Sequence, residues 1–352
     1  MTSKINVSII LPIFNGEKWI DFCLNSIVSQ TALEKGLKLE VSIFNDSSTD
    51  NTEKLLNSWK MKIEKTGILF TLTRNSSGHP KGVGYAKNAA IKASRGEYLC
   101  FEDVDDVMLP DRIFKQYLLA KSNINDIVGC KFTREPPNST ERFTKWANNL
   151  TQNELILQVY TSHGPTVIMP TWFFHRDVYK RVGGFSEENK GTPEDLIFFY
   201  EHLNKGGSVH RVDEYLLIYT YHLGSATFSV SSDIIWDIRI QHFVKNFLPL
   251  CAGGFTIWNG GKQGRKFFKS LNGDQRRLVK ALCDIDPNKI GKFYEMFCPT
   301  KRKILNKIPI VHFRDATPPL VVCIKLDLTD GDFEKNLSSL NLEEGKDYII
   351  FS

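Results

Sequence analysis

The sequence lacks the features that mark membrane-embedded and secreted proteins. No uninterrupted apolar run reaches the ~18 residues that a membrane-spanning helix needs. The first predicted strand already begins at Val7, which leaves no room for a charged, apolar and cleavable signal sequence. We therefore expect a cytoplasmic protein that has no membrane partner.

The cysteines provide neither a disulfide framework nor a zinc site. They are odd in number, widely spaced and free of any C-x-x-C pair. Such a distribution is typical of reduced, mostly buried thiols. The seven cysteines are Cys23, Cys100, Cys130, Cys251, Cys283, Cys298 and Cys323.

Length and charge predict two domains, which we place at residues 1–232 and 233–352. A chain of 352 residues is longer than one ordinary small domain. Residues 1–232 contain 26 Lys and Arg and 26 Asp and Glu, whereas residues 233–314 contain 16 Lys and Arg against 6 Asp and Glu. A basic block of this kind indicates either a surface that faces a polyanion or a solvated face without a special role.

Strands and helices alternate through the first hundred residues. Alternation of this kind predicts a mostly parallel α/β sheet, in which ligands bind at the carboxyl ends of the strands. The predicted strands are Val7–Ile13, Leu39–Phe44, Leu69–Thr73 and Gly96–Phe101, with a helix after each of the first three.

Four carboxylates follow the last of these strands, in the run Phe101-Glu102-Asp103-Val104-Asp105-Asp106. Side chains alternate along a strand, so Asp103 and Asp105 are expected to project to one side. Two hard oxygen donors can there hold a divalent cation that also binds phosphate oxygens. A lone Asp-x-Asp pair is also typical of a solvated turn. The segment Pro12–Asn15 and Asp46 end neighbouring strands, and this convergence favours the nucleotide site.

Three further segments carry polar groups of interest. Lys87 and Asn88 lie on the helix after a glycine-bearing turn. Glu194 and Asp195 open a later helix, where acids are also typical for capping and dipole reasons. The apolar run 167–174 is predicted to be core, although Trp172 near its end could line an acceptor pocket.

Taken together, these motifs resemble the GT-A glycosyltransferases of the large inverting family 2. The resemblance covers about residues 5–228, and each motif is weak alone whereas the ordered set is specific. It implies a GT-A fold, which is a Rossmann-like nucleotide-diphospho-sugar transferase domain. The motifs are Pro12 to Asn15, Asn45 to Asp50, Lys87-Asn88, Asp103 to Asp106, and Glu194-Asp195 followed by His222.

The resemblance also implies roles for the matched residues. Asp46 pairs with the uracil edge, and Asp103 lies near the ribose. Asp105 binds Mn²⁺ or Mg²⁺ with His222 nearby, and Asp195 is the general base. The full set of expected contacts with the nucleotide sugar is Pro12, Phe14, Asn15, Asp46, Lys87, Asn88, Asp103, Asp105, Trp172 and Glu194.

Two positions depart from the family pattern. Asn45 stands where an acid is frequent, so the uracil contact depends more on Asp46. Glu102 stands where an apolar residue is usual, and alternation along the strand is expected to turn it away from the site.

The second domain opens with a pattern typical of a dinucleotide-binding unit. A strand from Phe255 is followed by the glycines of segment 260–264, a helix, and a second strand Val279–Cys283 closed by Asp284. Because the G-x-G-x-x-G signature is incomplete, we expect a small Rossmann-like module rather than an NAD site. Residues expected to neutralise the phosphates of a nucleic acid are Lys262, Arg265, Lys266, Lys269, Arg276 and Arg277.

Longer runs are similar to family members that galactosylate a tRNA nucleoside, among them Gly164–Phe173 and Phe255–Gly264. This similarity implies transfer of galactose from UDP-galactose to queuosine at the wobble position of tyrosine tRNA. The residues leave three alternatives open. The first is a UDP-N-acetylglucosamine transferase acting on a glycan or protein, the second a non-catalytic nucleotide-sugar or tRNA-binding protein, and the third a dinucleotide oxidoreductase.

Overall fold

The computed structural model describes residues 4–188 and 191–352. The chain divides into two compact units. The first unit runs to Ile156 and from Gly164 to Ile234, and the second consists of Leu157–His163 and Ile235–Ser352. The second unit thus takes a short segment that the sequence interpretation assigned to the first domain. Within the described ranges, no helix has the length and apolar character needed to cross a membrane.

The first unit is an α/β structure built on eight strands. Its strands are β1 (Val7–Ile13), β2 (Leu39–Asn45), β3 (Leu69–Arg74), β4 (Tyr98–Phe101), β5 (Val107–Met108), β6 (Ile127–Glu135), β7 (Phe173–His175) and β8 (Val209–Thr220). Its helices are α1 (Ile20–Val28), α2 (Thr52–Lys65), α3 (Val83–Ala93), α4 (Arg112–Ser122), α5 (Glu141–Asn149), α6 (Glu154–Leu157), α7 (Arg176–Val182) and α8 (Glu194–Asn204). Helix α9 (Ser232–Asn246) follows.

The strand order of the first sheet is β3-β2-β1-β4-β7-β6-β8-β5. The first four strands in this order are parallel, as the alternation of strands and helices predicts. Strand β7 runs antiparallel to both of its neighbours, and β5 runs antiparallel to β8, so the sheet as a whole is mixed. The carboxyl ends of β1, β2 and β4 share one edge, and the segments after them carry Asn15, Asp46 and Asp103.

Burial explains why the sequence predicted these strands. All seven residues of β2 and nearly all of β1 are buried. Strand β1 is a nearly continuous apolar run. Strand β2 is also rich in apolar residues, although three buried polar residues, Glu40, Ser42 and Asn45, lie among them. On α1, the buried positions Ile20, Cys23, Leu24 and Ile27 have helical spacing and face the same core.

Glu102 and Arg112 form an ion pair that has no exposed surface. Arg112 begins α4 and directs Nη1 to Glu102, while Nη2 donates to the carbonyls of Phe101 at 2.7 Å and Pro170 at 2.6 Å. Burial raises the pKa of Glu102, and the Arg112 guanidinium opposes that rise. The buried pair therefore holds the end of β4 against the start of α4.

The second unit is a smaller α/β structure. Its strands are β9 (Phe255–Trp258), β10 (Val279–Asp284), β11 (Phe293–Cys298), β12 (Lys303–His312), β13 (Leu320–Val322) and β14 (Tyr348–Ile350). Its helices are α10 (Lys262–Ser270), α11 (Gly273–Arg276) and α12 (Asp332–Ser338). The predicted α/β fold of this part of the chain is confirmed.

The strand order of the second sheet is β11-β12-β10-β9-β13-β14. Five of these strands, from β12 to β14 across the sheet, are parallel and have the 3-2-1-4-5 order typical of a doubly wound fold. Strand β11 is added antiparallel at the edge and makes a hairpin with β12.

Replacing Arg112 by Met is expected to lower the free energy of unfolding by about 3–5 kcal/mol, because the buried carboxylate of Glu102 would lose its partner. Denaturant unfolding followed by circular dichroism measures the loss. Arg95→Met is the matched control, since Arg95 is exposed and its substitution should change stability little. Equal stability of the two variants would contradict a structural role for the buried pair.

Candidate functional site

The carboxylates after β4 lie on a turn and not on a strand. Strand β4 ends at Phe101, and the backbone N–H of Asp106 donates to the carbonyl of Asp103 at 3.1 Å. The expectation of strand alternation is therefore wrong at this point. The turn itself gathers the side chains, since one oxygen each of Asp103, Asp105 and Asp106 lie within 4.8 Å of one another.

Asp106 gives the clearest indication that this cluster fits a cation. Its side chain is buried, and Oδ1 accepts the N–H of Thr220 at 2.9 Å, while Oδ2 has no hydrogen-bond partner in the described part of the chain. Burial, with the charges of Asp105 and Asp103, raises the pKa of Asp106 well above its ordinary range. Crowded carboxylate oxygens of this kind suit Mn²⁺ or Mg²⁺.

His222 contacts the cluster from the segment after β8. Its Nε2 lies 2.8 Å from Oδ2 of Asp105, and its ring stacks on Trp19 with 5.2 Å between ring centroids. Because Nδ1 accepts the N–H of Gly224 at 3.1 Å, Nε2 carries the proton and donates it to Asp105. In this arrangement His222 orients Asp105, and ligation of a metal through Nε2 requires that this proton be exchanged for the ion.

A second group of charges adjoins the cluster. Nζ of Lys87, on α3, lies 2.7 Å from Oε1 of Glu194 at the start of α8, and both side chains are buried. Asp195 is the next residue, and its Oδ1 accepts the N–H of Leu196 at 2.7 Å. The charges of Lys87 and Glu194 act on Asp103 as well as on Asp195, so the two groups form one electrostatic unit.

Two carboxyls of this unit have pKa values displaced toward neutrality. Burial raises the pKa of Asp195 to about 6; the charge of Glu194 adds to the rise and that of Lys87 opposes it. Burial likewise raises the pKa of Asp103 to about 6, with Lys87 opposing the rise and Asp105 adding to it. A carboxylate with such a pKa is suited to accept a proton near neutral pH.

Asp46 is buried at the end of β2 and anchors the glycine turn before α3. Its Oδ1 accepts a hydrogen bond from Asn75 at 2.8 Å. Its Oδ2 accepts the backbone N–H groups of Lys81 at 2.8 Å and Gly82 at 2.9 Å. The carboxylate is thereby held in one orientation, and a base-edge contact has to share these oxygens with the turn.

Pro12, Phe14 and Asn15 form the neighbouring end of β1. Asn15 adopts a φ of 52°, and its Oδ1 accepts the N–H of Thr49 at 2.8 Å, which ties the loop after β1 to the loop after β2. Phe14 is exposed and Pro12 is half-buried. Of these three expected contacts, Phe14 offers the largest apolar surface to a ligand.

Asn88 and Trp172 are placed as structural supports. The Asn88 amide accepts from the N–H of Phe185 at 2.9 Å and the hydroxyl of Tyr179 at 3.0 Å, and it donates to the Phe185 carbonyl at 2.9 Å and to Glu187 at 2.7 Å. Trp172 is 0 % exposed, with Nε1 donating to a main-chain carbonyl in the core. The hydrogen bonds of the Asn88 amide hold a neighbouring loop, and the Trp172 ring is packed in the core. Neither side chain therefore has a polar group available for a ligand at the edge of the sheet.

The six residues expected to bind tRNA divide into two groups. Three are engaged locally: Lys266 lies 4.4 Å from the Trp236 ring, Arg265 lies 5.1 Å from the Tyr294 ring, and Arg276 donates to two carbonyls at the end of α10. The other three, Lys262, Lys269 and Arg277, are exposed, and Nη1 of Arg277 lies 3.0 Å from Oδ1 of Asp274.

The glycine loop of the second unit, residues 260–264, is hydrogen-bonded to Asp284 of the same unit. Oδ2 of Asp284 accepts the N–H of Gly260 at 2.9 Å and lies 3.1 Å from Nζ of Lys289. A Cβ at Gly264 would come within 1.9 Å of the Asn259 carbonyl, so this glycine permits close contact between α10 and the loop. These contacts give the glycines a packing function.

Sequence reasoning missed the part played by three residues. Asp106 was included in the motif but given no role, and the pairing of Glu102 with Arg112 was not anticipated. The sequence does mark two of these residues, because Asp106 continues the acidic run and Arg112 opens the following helix. Only the folded chain shows that one oxygen of Asp106 has no hydrogen-bond partner among the residues that the structure describes.

The chain is similar in sequence to known glycosyltransferases. The family described as glycosyl transferase family 2 matches residues 8–183. The uncharacterized glycosyltransferase EpsJ of Bacillus subtilis (strain 168) is 28% identical over 229 residues, which span 63% of this chain and 62% of EpsJ. The poly(ribitol-phosphate) beta-N-acetylglucosaminyltransferase TarS of Staphylococcus aureus (strain MW2) is 26% identical over 201 residues, which span 56% of this chain and only 32% of TarS. The match thus spans less than two thirds of the length of either relative.

Solved structures show the same fold. The crystal structure of S. aureus TarS 1–349 in complex with UDP-GlcNAc superposes with a TM-score of 0.57 at 17% identity and covers 78% of this chain and 84% of that chain. The mannosyltransferase PcManGT from Pyrobaculum calidifontis, in complex with GDP-Man and Mn²⁺, has a TM-score of 0.50 at 19% identity and covers 69% of this chain and 64% of that chain. The GT-A fold expected from the motifs is thereby confirmed.

Replacing Asp105 by Asn is expected to weaken Mn²⁺ binding in the presence of UDP by at least about tenfold, because a charged oxygen ligand becomes a neutral one. Free Mn²⁺ measured by electron paramagnetic resonance reports the change. Asp332→Asn, at an exposed acid of α12, is the control that should bind as the unmodified chain does. Unchanged affinity in the Asp105 variant would remove that residue from the metal site.

Proposed function

Because the chain belongs to glycosyltransferase family 2, we propose that it transfers a hexose from a UDP-sugar to an acceptor hydroxyl in one inverting displacement. The observation that carries this proposal is the joining of two clusters at the edge of the first sheet. One is the carboxylate turn with His222, and the other is Asp195 beside the buried Lys87–Glu194 pair. The UDP-GlcNAc bound in the structurally similar TarS complex supports a UDP-sugar donor.

Asp195 acts as the general base in this proposal. It accepts the proton of the acceptor hydroxyl while that oxygen attacks the anomeric carbon, and the bond from the anomeric carbon to the diphosphate oxygen breaks on the opposite face. Glu194 and Lys87 set the charge around Asp195 and position the start of α8.

Asp103, Asp105 and Asp106 would hold Mn²⁺ or Mg²⁺, with His222 orienting Asp105. When bound, the ion supplies Lewis-acid stabilisation of negative charge on the departing diphosphate. The Mn²⁺ present in the PcManGT complex supports this choice of ion. Asp46, held by the glycine turn, is assigned to the uracil edge of the donor.

For the donor and acceptor we propose galactose and the queuosine nucleoside of tyrosine tRNA, which would make the chain a queuosine-tRNA galactosyltransferase. Two features support this reading. The longer sequence runs resemble enzymes of that activity, and residues 233–314 carry 16 Lys and Arg against 6 Asp and Glu, a balance that suits a nucleic-acid acceptor.

The comparisons favour a second candidate. The name of TarS specifies N-acetylglucosamine as the sugar and poly(ribitol-phosphate) as the acceptor. A UDP-N-acetylglucosamine transferase acting on a glycan or protein therefore stands as the alternative. Poly(ribitol-phosphate) and tRNA are both phosphate-linked polymers, so the basic charge of the second unit is compatible with either.

The rate of transfer is expected to fall below about pH 6, because protonated Asp195 cannot accept the acceptor proton. Glu194→Gln should move the midpoint of this acid limb to lower pH, since removing the Glu194 charge lowers the pKa of Asp195 and leaves the opposing Lys87 charge in place. Initial rates at saturating Mn²⁺ and donor, measured from pH 4.5 to 8, give the midpoints.

Asp195→Asn is the companion variant. It should lose transfer while its affinity for UDP, measured by calorimetry, stays as in the unmodified chain. An acid limb that stays in place in Glu194→Gln, or turnover that survives in Asp195→Asn, would remove the base assignment.

Mass spectrometry of nucleosides decides between the two acceptor readings. Tyrosine tRNA carrying queuosine is incubated with the protein, Mn²⁺ and UDP-galactose, with UDP-glucose and UDP-N-acetylglucosamine in parallel. The expected result is a hexose-mass gain on queuosine with UDP-galactose alone. A gain on simple saccharides with UDP-N-acetylglucosamine, and none on the tRNA, would establish the alternative instead.

A further inference from the structure

A hairpin at the edge of the second sheet combines exposed aromatic rings with a concentration of cations. It consists of β11 and β12, and β11 is the edge strand. Side chains alternate along β11: Tyr294 and Met296 are buried, whereas Phe293 and Phe297 are 53% and 58% exposed. Two phenylalanines therefore lie on the outward face, roughly 13 Å apart along the strand.

The partner strand extends the same face. Antiparallel pairing sets Lys307 opposite Glu295 and Ile304 opposite Phe297. Nζ of Lys307 lies 4.7 Å from the Phe293 ring and 3.1 Å from Glu295, so an ion pair lies between the two rings on this face. Tyr294 and Ile308, which pair across the two strands, are both buried on the inner face and fix this alternation.

Charge is concentrated at the tip of the hairpin. Residues 292–307 include five Lys and Arg and one acid. Lys301, Arg302 and Lys303 are exposed and consecutive, and within the described ranges they make no ion pair. On α10, by contrast, Arg265 and Lys266 lie against aromatic rings of their own unit.

We propose that the outward face of the β11–β12 hairpin binds single-stranded RNA. Phe293 and Phe297 stack on unpaired bases, and Lys301, Arg302 and Lys303 neutralise phosphates. A strand surface with exposed aromatic rings and flanking cations has the composition of single-strand binding platforms, where stacking accepts any base. This inference rests on the proposed tRNA acceptor and assigns its unpaired nucleotides to a surface different from α10.

The charge of the hairpin favours RNA over a protein or a second copy of this chain. A protein partner for an edge strand would pair with its backbone and cover apolar side chains, for which consecutive cations at the tip are unnecessary. A second copy would bring the same cations into opposition, because a two-fold contact is self-complementary. Single-stranded RNA offers bases that stack on the rings and phosphates that the cations neutralise.

The test uses the full chain and a fluorescein-labelled 12-nucleotide single-stranded RNA, with labelled tyrosine tRNA in parallel. Phe293→Ala combined with Phe297→Ala is expected to weaken binding of the 12-mer by roughly tenfold or more, because each stacked base is lost. Phe293→Tyr combined with Phe297→Tyr keeps the ring faces and should retain affinity. UDP release from UDP-galactose without RNA should be equal in all variants and serves as the check on folding.

A second pair of variants tests the charge. Replacing Lys301, Arg302 and Lys303 by Gln should reduce the slope of log affinity against log salt by about two, since each single-strand phosphate contact contributes ~0.7. The matched control replaces Lys54, Lys60 and Lys65, exposed on α2, by Gln and should leave the slope unchanged.

The outcomes separate this inference from the proposed function. If the unmodified chain binds and modifies tRNA but the double alanine variant binds both RNAs equally well, the hairpin assignment is overturned and the acceptor proposal stands. If the unmodified chain binds neither RNA, both fail. If the double alanine variant instead changes the oligomeric state and leaves RNA affinity unchanged, the face is a contact between copies and the inference is again overturned.

Discussion

The crowding of four carboxylates at the end of β4 is the constraint on which the first unit depends. Within the fold, the charge of Glu102 is opposed by the Arg112 guanidinium, which also holds the last carbonyl of the strand. Asp106 is buried with one oxygen unpartnered among the described residues, and its pKa is raised by burial and neighbouring charges. Like charges held this close together destabilise the free protein. A divalent cation held by these carboxylates would offset that repulsion, so the proposed metal site would also stabilise the turn.

Lys87 connects this acidic turn with the helix that carries the proposed base. It is buried, pairs with Glu194 at 2.7 Å, and its charge acts on both Asp103 and Asp195. The proton affinities of Asp103 and Asp195 therefore both depend on the charge of Lys87. The same lysine limits how far burial can raise the pKa of either carboxyl, which keeps both near 6 where a base can work at neutral pH.

Local patterns predicted the first half of the fold because β1, β2 and β4 are buried and rich in apolar residues. They could not predict contacts that join distant segments. The position of Trp172 near the end of an apolar run suggested a ligand contact, yet the packing of the chain encloses its ring. Asn88 matched a donor motif, but its amide is engaged by Phe185, 97 residues away. In the second unit, β13 and β14 have three residues each, too few for a periodic signal.

Net charge alone cannot distinguish the two candidate acceptors. Tyrosine tRNA and poly(ribitol-phosphate) both present repeated phosphates, and the cations of the second unit attract either polymer. The local contacts of Arg265 and Lys266 show that part of this charge is engaged within the unit. Phe293 and Phe297 are different in kind, because a ring gains stacking energy only from a ligand that has a π-face. Bases have one and a ribitol chain does not. The exposed rings, more than the lysines, therefore separate a nucleic-acid acceptor from a polyol phosphate.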